Sequence, residues 1–163
     1  MFNIVLVEPE IPQNTGNIVR TCHATGCALH LVRPLGFEIS DRYLKRAGLD
    51  YWDEVEIFYY DSFKELKEKY PSSRFWYFTT KGLKRHSDAK LEKGDFLVFG
   101  KETKGLPEEL LKENKEFCLR IPMIGETRSL NLSNSVAIAV YEGLRQHDFS
   151  GFKTEGQLHN LKW

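Results

Sequence analysis

Residues 121–142 decide the fold of this chain, and they read IPMIGETRSLNLSNSVAIAVYE. The first half of the stretch is rich in small hydrogen-bonding side chains, and a nearly continuous apolar block follows from Val136 to Tyr141. Asn and Ser favour helix starts because their side chains accept hydrogen bonds from free backbone N–H groups. The stretch therefore predicts a helix over about residues 131–146, whose polar start is either an ordinary cap or a ligand site.

The predicted helix is apolar on nearly every side. A helix of this kind has to be buried on more than one side. Two arrangements satisfy that requirement: burial within one subunit, or burial of one side against a second copy of the chain. Because the helix lies near the end of 163 residues, we expect the second arrangement, a homodimer.

Short apolar runs alternate with amphipathic segments in the rest of the chain. The runs predicted to be strands lie at residues 3–8, 29–34, 55–60, 74–80, 95–100 and 117–122. The predicted helices lie at about residues 15–25, 41–47, 61–69, 107–114 and 131–146. Strands that alternate with helices predict a three-layer α/β fold with a mostly parallel sheet. We expect one domain over residues 1–151 and a C-terminal tail over residues 152–163 that is loosely docked or disordered.

The composition favours a cytoplasmic protein. No apolar run approaches the roughly 20 residues of a membrane span, and no basic segment typical of a signal peptide opens the chain. Three cysteines without paired spacing predict buried, reduced thiols, and the five histidines are scattered singly, so we expect no metal site.

The net charge is zero, which removes the simplest argument for nucleic-acid binding. Two basic clusters nevertheless stand out, and each is either a solvated surface or a contact for RNA. They are Arg42, Lys45 and Arg46, and Lys81, Lys84, Arg85 and His86.

Polar or glycine-containing loops follow four of the predicted strands, at residues 8–20, 79–82, 100–107 and 121–135. In open α/β sheets, ligands bind outside the carboxyl ends of the strands. The loops contain neither a Walker A sequence nor a GxGxxG sequence, which disfavours the common nucleotide-binding folds. Their convergence predicts a ligand site at this edge of the sheet.

Two of these loops allow more specific interpretations. In PQNTGNIVR, Asn14 or Thr15 could cap a helix, with Arg20 either an ordinary surface residue or part of a site. In FGKETKGLP, Gly100 and Gly105 flank Glu102, which indicates either a plain turn or a close approach of the backbone to a ligand.

Three segments, taken in order, resemble the motifs of the SPOUT RNA 2′-O-ribose methyltransferases. They are Asn14-Thr15-Gly16-Asn17-x-x-Arg20, Phe99-Gly100-x-Glu102-x-x-Gly105-Leu106-Pro107, and Ile121-Pro122-Met123 followed by Ser129 to Val136. The likeness covers residues 2–150. The opening NIVLVEPEIPQNTGNIVR and the motif RAGLDYW at 46–52 narrow it to the short tRNA cytidine/uridine-34 2′-O-methyltransferases.

The resemblance implies a SPOUT fold, in which the C-terminal part forms a deep trefoil knot, an exception to the rule against knotted chains. It implies S-adenosylmethionine as the cofactor, S-adenosylhomocysteine as its product, no metal, and a homodimer that acts on the tRNA anticodon stem-loop. Two alternatives stay open: methylation of a different tRNA or rRNA position, and a non-catalytic RNA-binding factor on the same scaffold.

The resemblance also implies roles for individual residues. The expected cofactor-binding residues are Phe78, Thr79, Gly100, Glu102, Ile121, Met123, Ser129 and Leu130. The expected catalytic residues are Arg20, Asn14, Glu102 and Asn131, and Tyr141 matches the dimer-interface helix. A guanidinium stays protonated in proteins. We therefore expect Arg20 to stabilise negative charge on the ribose oxygen or a phosphate, although the family's arginine is often assigned as the general base.

Overall fold

The computed structural model of the chain describes residues 1–38, 49–125 and 127–163. Within these residues, parallel pairing joins seven strands into one sheet, in the order β3-β2-β1-β6-β4-β7-β5. The strands are β1 (Asn3–Val7), β2 (Ala28–Val32), β3 (Ile57–Tyr60), β4 (Phe75–Phe78), β5 (Lys84–Arg85), β6 (Phe96–Phe99) and β7 (Cys118–Arg120). The prediction of a mostly parallel α/β sheet is therefore confirmed.

Helices cover both faces of this sheet. They are α1 (Pro12–Thr25), α2 (Phe63–Lys69), α3 (Glu108–Glu113) and α4 (Leu132–Gln146), with 3-10 helices at Leu49–Glu54, His86–Asp88 and Lys115–Phe117. Alternate residues of β1 enter two separate cores: Ile4 and Leu6 pack with α1 and α4, whereas Val5 and Val7 pack with α2 and α3. This alternation follows from the period of two in a strand.

The structure differs from the sequence prediction at two elements. The strand β5 was missed because two residues, Lys84 and Arg85, are too short to show a hydrophobic period. Helix α1 begins at Pro12, three residues earlier than predicted, because proline is tolerated in a first helical turn. The predicted helix at 41–47 and the basic residues Arg42, Lys45 and Arg46 lie outside the described residues.

Asn131, the residue before α4, caps the start of this helix. Its side chain accepts hydrogen bonds from the backbone N–H groups of Ser133 and Asn134 at 2.9 and 3.4 Å. The capping interpretation of the polar stretch is thus confirmed for this helix. The start of α1 is different, because its N-cap residue, Ile11, makes no side-chain cap. The predicted cap by Asn14 or Thr15 is therefore wrong, and the group that replaces it comes from another loop.

A fully buried histidine lies on the α2 side of the sheet. His30 Nδ1 lies 3.0 Å from Tyr60 Oη, and His30 Nε2 lies 3.0 Å from Asn3 Oδ1. The amide of Asn3 donates to Gly94 O, so Asn3 Oδ1 is the acceptor and His30 Nε2 carries the proton. Burial, and then the positive charge of Lys69, lower the pKa of His30 to about 4.

This histidine makes folding stability depend on pH. Above pH 4 the folded chain holds His30 neutral, whereas the unfolded chain binds a proton near pH 6.5, so stability is lost as the pH falls between these values. We expect His30 to account for a loss of about 2 kcal/mol in the free energy of unfolding between pH 7 and pH 4.5. Urea unfolding at the two pH values measures this loss in wild type and in His30→Gln. The free energy of unfolding should fall less in His30→Gln than in wild type. The control His159→Gln, in the exposed tail, should show the same fall as wild type.

Candidate active site

A cavity of about 500 Å³ lies at the carboxyl ends of β4, β6 and β7. Its volume is within the range of roughly 300–1,000 Å³ that is usual for small-molecule sites. The cavity brings together the loop before α1 and the loops after the three strands. The predicted site residues that line it are Asn14, Phe78, Thr79, Gly100, Glu102, Ile121, Met123, Ser129, Leu130 and Asn131.

Glu102 caps helix α1 across 88 or more residues of sequence. Its Oε2 accepts a hydrogen bond from the backbone N–H of Glu10 at 2.8 Å, and its Oε1 accepts from the N–H of Ile11 at 3.1 Å. Asn14 Nδ2 also donates to Glu102 Oε1, at 3.1 Å. A carboxylate at a helix start is favoured because the helix dipole is positive there. The motif acid therefore holds the start of α1 against the β6–α3 loop.

Asn14 also connects Glu102 to Asn131, the residue before α4. The Asn14 side chain is buried, and its Oδ1 accepts a hydrogen bond from Asn131 Nδ2 at 2.9 Å. Asn131 in turn accepts a hydrogen bond from Ser133 Oγ at 2.6 Å. We call the series Glu102–Asn14–Asn131 the inner chain; it joins the β6–α3 loop, the first turn of α1 and the residue before α4 along the cavity wall.

Gly100 is placed where no side chain fits. A Cβ atom on Gly100 would lie 2.1 Å from the carbonyl carbon of Gly105 and 2.3 Å from the backbone nitrogen of Leu106. The loop folds back on itself here, with Gly105 N donating to Lys101 O at 2.8 Å. The glycine therefore lets the Lys101–Gly105 loop curl over the end of β6 and present Glu102 to α1.

Arg20 does not line the cavity. It is exposed on α1, and its guanidinium lies over the Tyr51 ring, 5.6 Å from the ring centroid. The His23 ring also contacts Tyr51, at 4.5 Å between centroids. Within one subunit, Arg20 therefore lies away from the hydrogen-bonded residues of the inner chain. Tyr51 belongs to the RAGLDYW motif, but nothing in its local pattern indicated that it would contact Arg20.

Basic side chains lie around the cavity mouth. Lys81, Lys104 and Arg128 line it, and Lys81 pairs with Glu108. Arg85, the next arginine of the predicted basic cluster, pairs with Asp88 at 2.8 Å. Two of the three lysine and arginine side chains of that cluster are thus already paired within the chain, which leaves the choice between solvated surface and RNA contact open.

The prediction of buried, reduced thiols is confirmed for the three cysteines. The cysteines Cys22, Cys27 and Cys118 are free and buried, and burial raises their pKa values, as is usual for inert structural thiols. Over residues 1–38, 49–125 and 127–163, no group of three or more His, Cys, Asp or Glu side chains could hold a metal ion. Over the same residues, no helix is long and apolar enough to cross a membrane.

Comparisons with known proteins match this arrangement along nearly the whole chain. A tRNA (cytidine(34)-2′-O)-methyltransferase from Methylovorus glucosotrophus is 50% identical, covering 93% of this chain and 99% of the relative. The enzyme of the same name from Saccharophagus degradans is 49% identical, covering 94% of this chain and all of the relative.

A solved structure described as giving insight into the 2-OH methylation of C/U34 on tRNA has a TM-score of 0.86 and 47% identity, covering 91% of this chain and 97% of that one. The profile of the SpoU rRNA Methylase family matches residues 1–141, which include each of the loops that form the cavity. The chain therefore belongs to the SpoU methylase family.

Proposed function

We propose that the chain is a tRNA (cytidine/uridine-34-2′-O)-methyltransferase, which transfers a methyl group from S-adenosylmethionine to the ribose of the wobble nucleotide. The observation that carries the proposal is the inner chain, because it places Glu102, Asn14 and Asn131 together on one wall of a ligand-sized cavity. Relatives named for this activity, at about half identity over nearly the full chain, support it.

The residues around the cavity fit S-adenosylmethionine. The chain folds sharply at Gly100, and Ile121, Met123, Arg128, Ser129 and Leu130 line another part of the cavity. Backbone N–H and C=O groups at fixed positions suit the polar edge of an uncharged ring, and the apolar side chains of Phe78, Ile121 and Leu130 suit its faces. The cofactor would be held by Phe78, Thr79, Gly100, Glu102, Ile121, Met123, Ser129 and Leu130.

When bound, the sulfonium supplies an activated methyl group, so the protein's own task is to align the ribose oxygen and manage its proton. Asn131 and Asn14, fixed by Glu102, orient the groups beside the reacting oxygen. Arg20 stabilises the negative charge that develops on that oxygen, or on the adjacent phosphate. It does not act as the base, because a guanidinium does not give up its proton in proteins, so the hydroxyl proton would leave to water.

We also propose that the chain is knotted. The strands β4 and β5 are consecutive, yet they lie on either side of β7 in the sheet. The 79–83 connection between them therefore has to cross the end of β7, and a Cβ on Gly82 would lie 2.8 Å from the carbonyl carbon of Leu119. This crossing supports a trefoil knot formed as the chain after β7 passes under the 79–83 loop.

The active protein in this proposal is a homodimer in the cytoplasm, where its tRNA substrate is modified. Ile138 and Tyr141 are 38% and 48% exposed on the outer side of α4, although large apolar side chains on that helix favour burial. A partner subunit packed there would cover them. It would also provide a route by which Arg20 of one subunit reaches the cavity of the other.

Replacing Tyr141 with aspartate tests the dimer, because a carboxylate buried between two subunits without a partner is strongly unfavourable. We expect Tyr141→Asp to sediment as a monomer under conditions in which wild type is a dimer. The matched control is Leu83→Asp, which changes an 82% exposed leucine that lies outside α4. A monomeric wild-type protein, or a dimeric Tyr141→Asp variant, would contradict the proposed interface.

The tRNA activity is tested by mapping ribose methylation with mass spectrometry in cells that lack the gene and in cells complemented with it. We expect 2′-O-methylation of nucleotide 34 to disappear and to return on complementation. Loss at another tRNA or rRNA position, with nucleotide 34 unchanged, would favour the alternative substrate. Tight tRNA binding without transfer in single-turnover assays would indicate a non-catalytic RNA-binding factor.

A further inference from the structure

A second series of hydrogen bonds, on the solvent side of the inner chain, joins the β1–α1, β6–α3 and β7–α4 loops. It runs Glu10–Thr103–Arg128, and we call it the outer clasp. We infer that Glu10 and Thr103 are positioning residues that keep the cavity mouth closed and hold Glu102 in place. The inference rests on the proposed use of this cavity for S-adenosylmethionine.

The contacts of the clasp are well formed at its centre. The carboxylate of Glu10 accepts a hydrogen bond from Thr103 N at 3.0 Å and from Thr103 Oγ1 at 2.9 Å. Arg128 Nη2 then donates to Thr103 O at 3.4 Å. Thr103 is therefore the point at which the β1–α1, β6–α3 and β7–α4 loops meet at the solvent side of the cavity.

The clasp and the inner chain act on each other through adjacent residues. Glu10 N donates to Glu102 Oε2 at 2.8 Å, while Glu10's own carboxylate accepts from Thr103, the residue next to Glu102. Each loop thus supplies a carboxylate to the backbone of the other, in a closed ring. When one half of the ring is released, the other half loses the partner that fixes its direction.

Charge supports the closed arrangement. The hydrogen bonds from Thr103, and then Lys101 and Lys104, hold the pKa of Glu10 below its usual range, so this side chain is an ionised acceptor at neutral pH. Lys101 also forms an ion pair with Glu8 at 2.5 Å, which joins the same two loops a second time.

Exposure indicates what the clasp does. Thr103 and Arg128 are exposed, so water competes for the hydrogen bonds of the clasp, and such bonds add little to folding stability. Bonds of this kind are suited to opening and closing around a ligand. The expected effect of losing the clasp is therefore on cofactor affinity and on the position of Glu102, with the fold retained.

The experiment compares Thr103→Val, Glu10→Gln and the double variant with wild type. Calorimetric affinity for S-adenosylmethionine, in the absence of RNA, should fall about tenfold in each single variant. Because the residues act through each other, the double variant should fall no further than the weaker single variant. In cofactor-free protein, hydrogen exchange at the Glu10 and Ile11 amides should be faster than in wild type. Thr103→Ser should restore the affinity, and Thr154→Val, in the exposed tail, should match wild type.

The inference is overturned if the single effects multiply in the double variant, if Thr103→Ser binds as weakly as Thr103→Val, or if affinity and exchange stay at wild-type values. These readouts need no tRNA, so they are independent of whether nucleotide 34 is the substrate. If nucleotide 34 keeps its methyl group in the deletion strain but the single and double variants lose affinity as expected, the proposed substrate is wrong and the clasp stands. If nucleotide 34 loses its methyl group as expected but the single effects multiply in the double variant, the clasp is wrong and the proposed substrate stands.

Discussion

Replacing Arg20 with alanine is expected to slow methyl transfer by about 10²–10³-fold, the usual cost of losing one group that stabilises transition-state charge. Affinity for S-adenosylmethionine should stay at the wild-type value, because Arg20 does not line the cavity of its own subunit and its proposed contact across the dimer is with the ribose or phosphate. Single-turnover transfer to tRNA measures the first effect and calorimetry the second. A slower transfer rate with unchanged cofactor affinity distinguishes a group that acts on the ribose from one that forms the cofactor site.

The controls for Arg20 follow from its surroundings. Arg20→Lys keeps the charge but loses the planar fork, so partial activity is expected. Arg33 is a matched control, because it is also an exposed arginine over a tyrosine ring, 5.4 Å from the Tyr59 centroid. Arg33→Ala should transfer methyl groups at the wild-type rate. Equal slowing in Arg33→Ala and Arg20→Ala would show a general electrostatic effect and remove the catalytic role.

The position of Arg20 shows what helix geometry adds to a motif. Asn14 and Arg20 stand near each other in the sequence, yet six residues at 100° each place their side chains about 120° apart around α1. Asn14 consequently faces the cavity and Arg20 faces Tyr51. This divergence could be predicted from sequence alone, and in the proposed homodimer a second subunit would bring the two side chains together.

Other parts of the site could not be predicted from the local sequence. Polar residues near Pro12 indicated a cap for α1, but the capping group is Glu102, whose partners are 88 to 92 residues away. No periodicity or spacing connects two such loops; only the sheet order does, because β1 and β6 are neighbours. The strands themselves were predictable because each is an apolar run, whereas β5 has two charged residues and is defined by its pairing with β7.

The largest combined effect on stability and activity is expected for Glu102→Ala. The change leaves three donors without their acceptor: the N–H groups of Glu10 and Ile11, and Asn14 Nδ2. Water can reach the first two, so we expect the free energy of unfolding to fall by about 2–3 kcal/mol, less than three buried bonds would give. Methyl transfer should fall by about 10²-fold or more, because Asn14 and, through it, Asn131 lose their orientation.

Urea unfolding and single-turnover transfer, measured on the same preparations, separate the capping role of Glu102 from its role in the site. Glu102→Gln keeps one acceptor oxygen and should recover part of the stability, but its NH2 group faces a donor, either the N–H of Glu10 or those of Ile11 and Asn14. Its transfer rate should therefore stay low while its stability rises above that of Glu102→Ala. Glu109→Ala, in the exposed first turn of α3, is the matched control for removing a carboxylate nearby. A Glu102→Gln variant with both properties at wild-type values would show that Glu102 only caps α1, and that the inner chain does not orient the reacting groups.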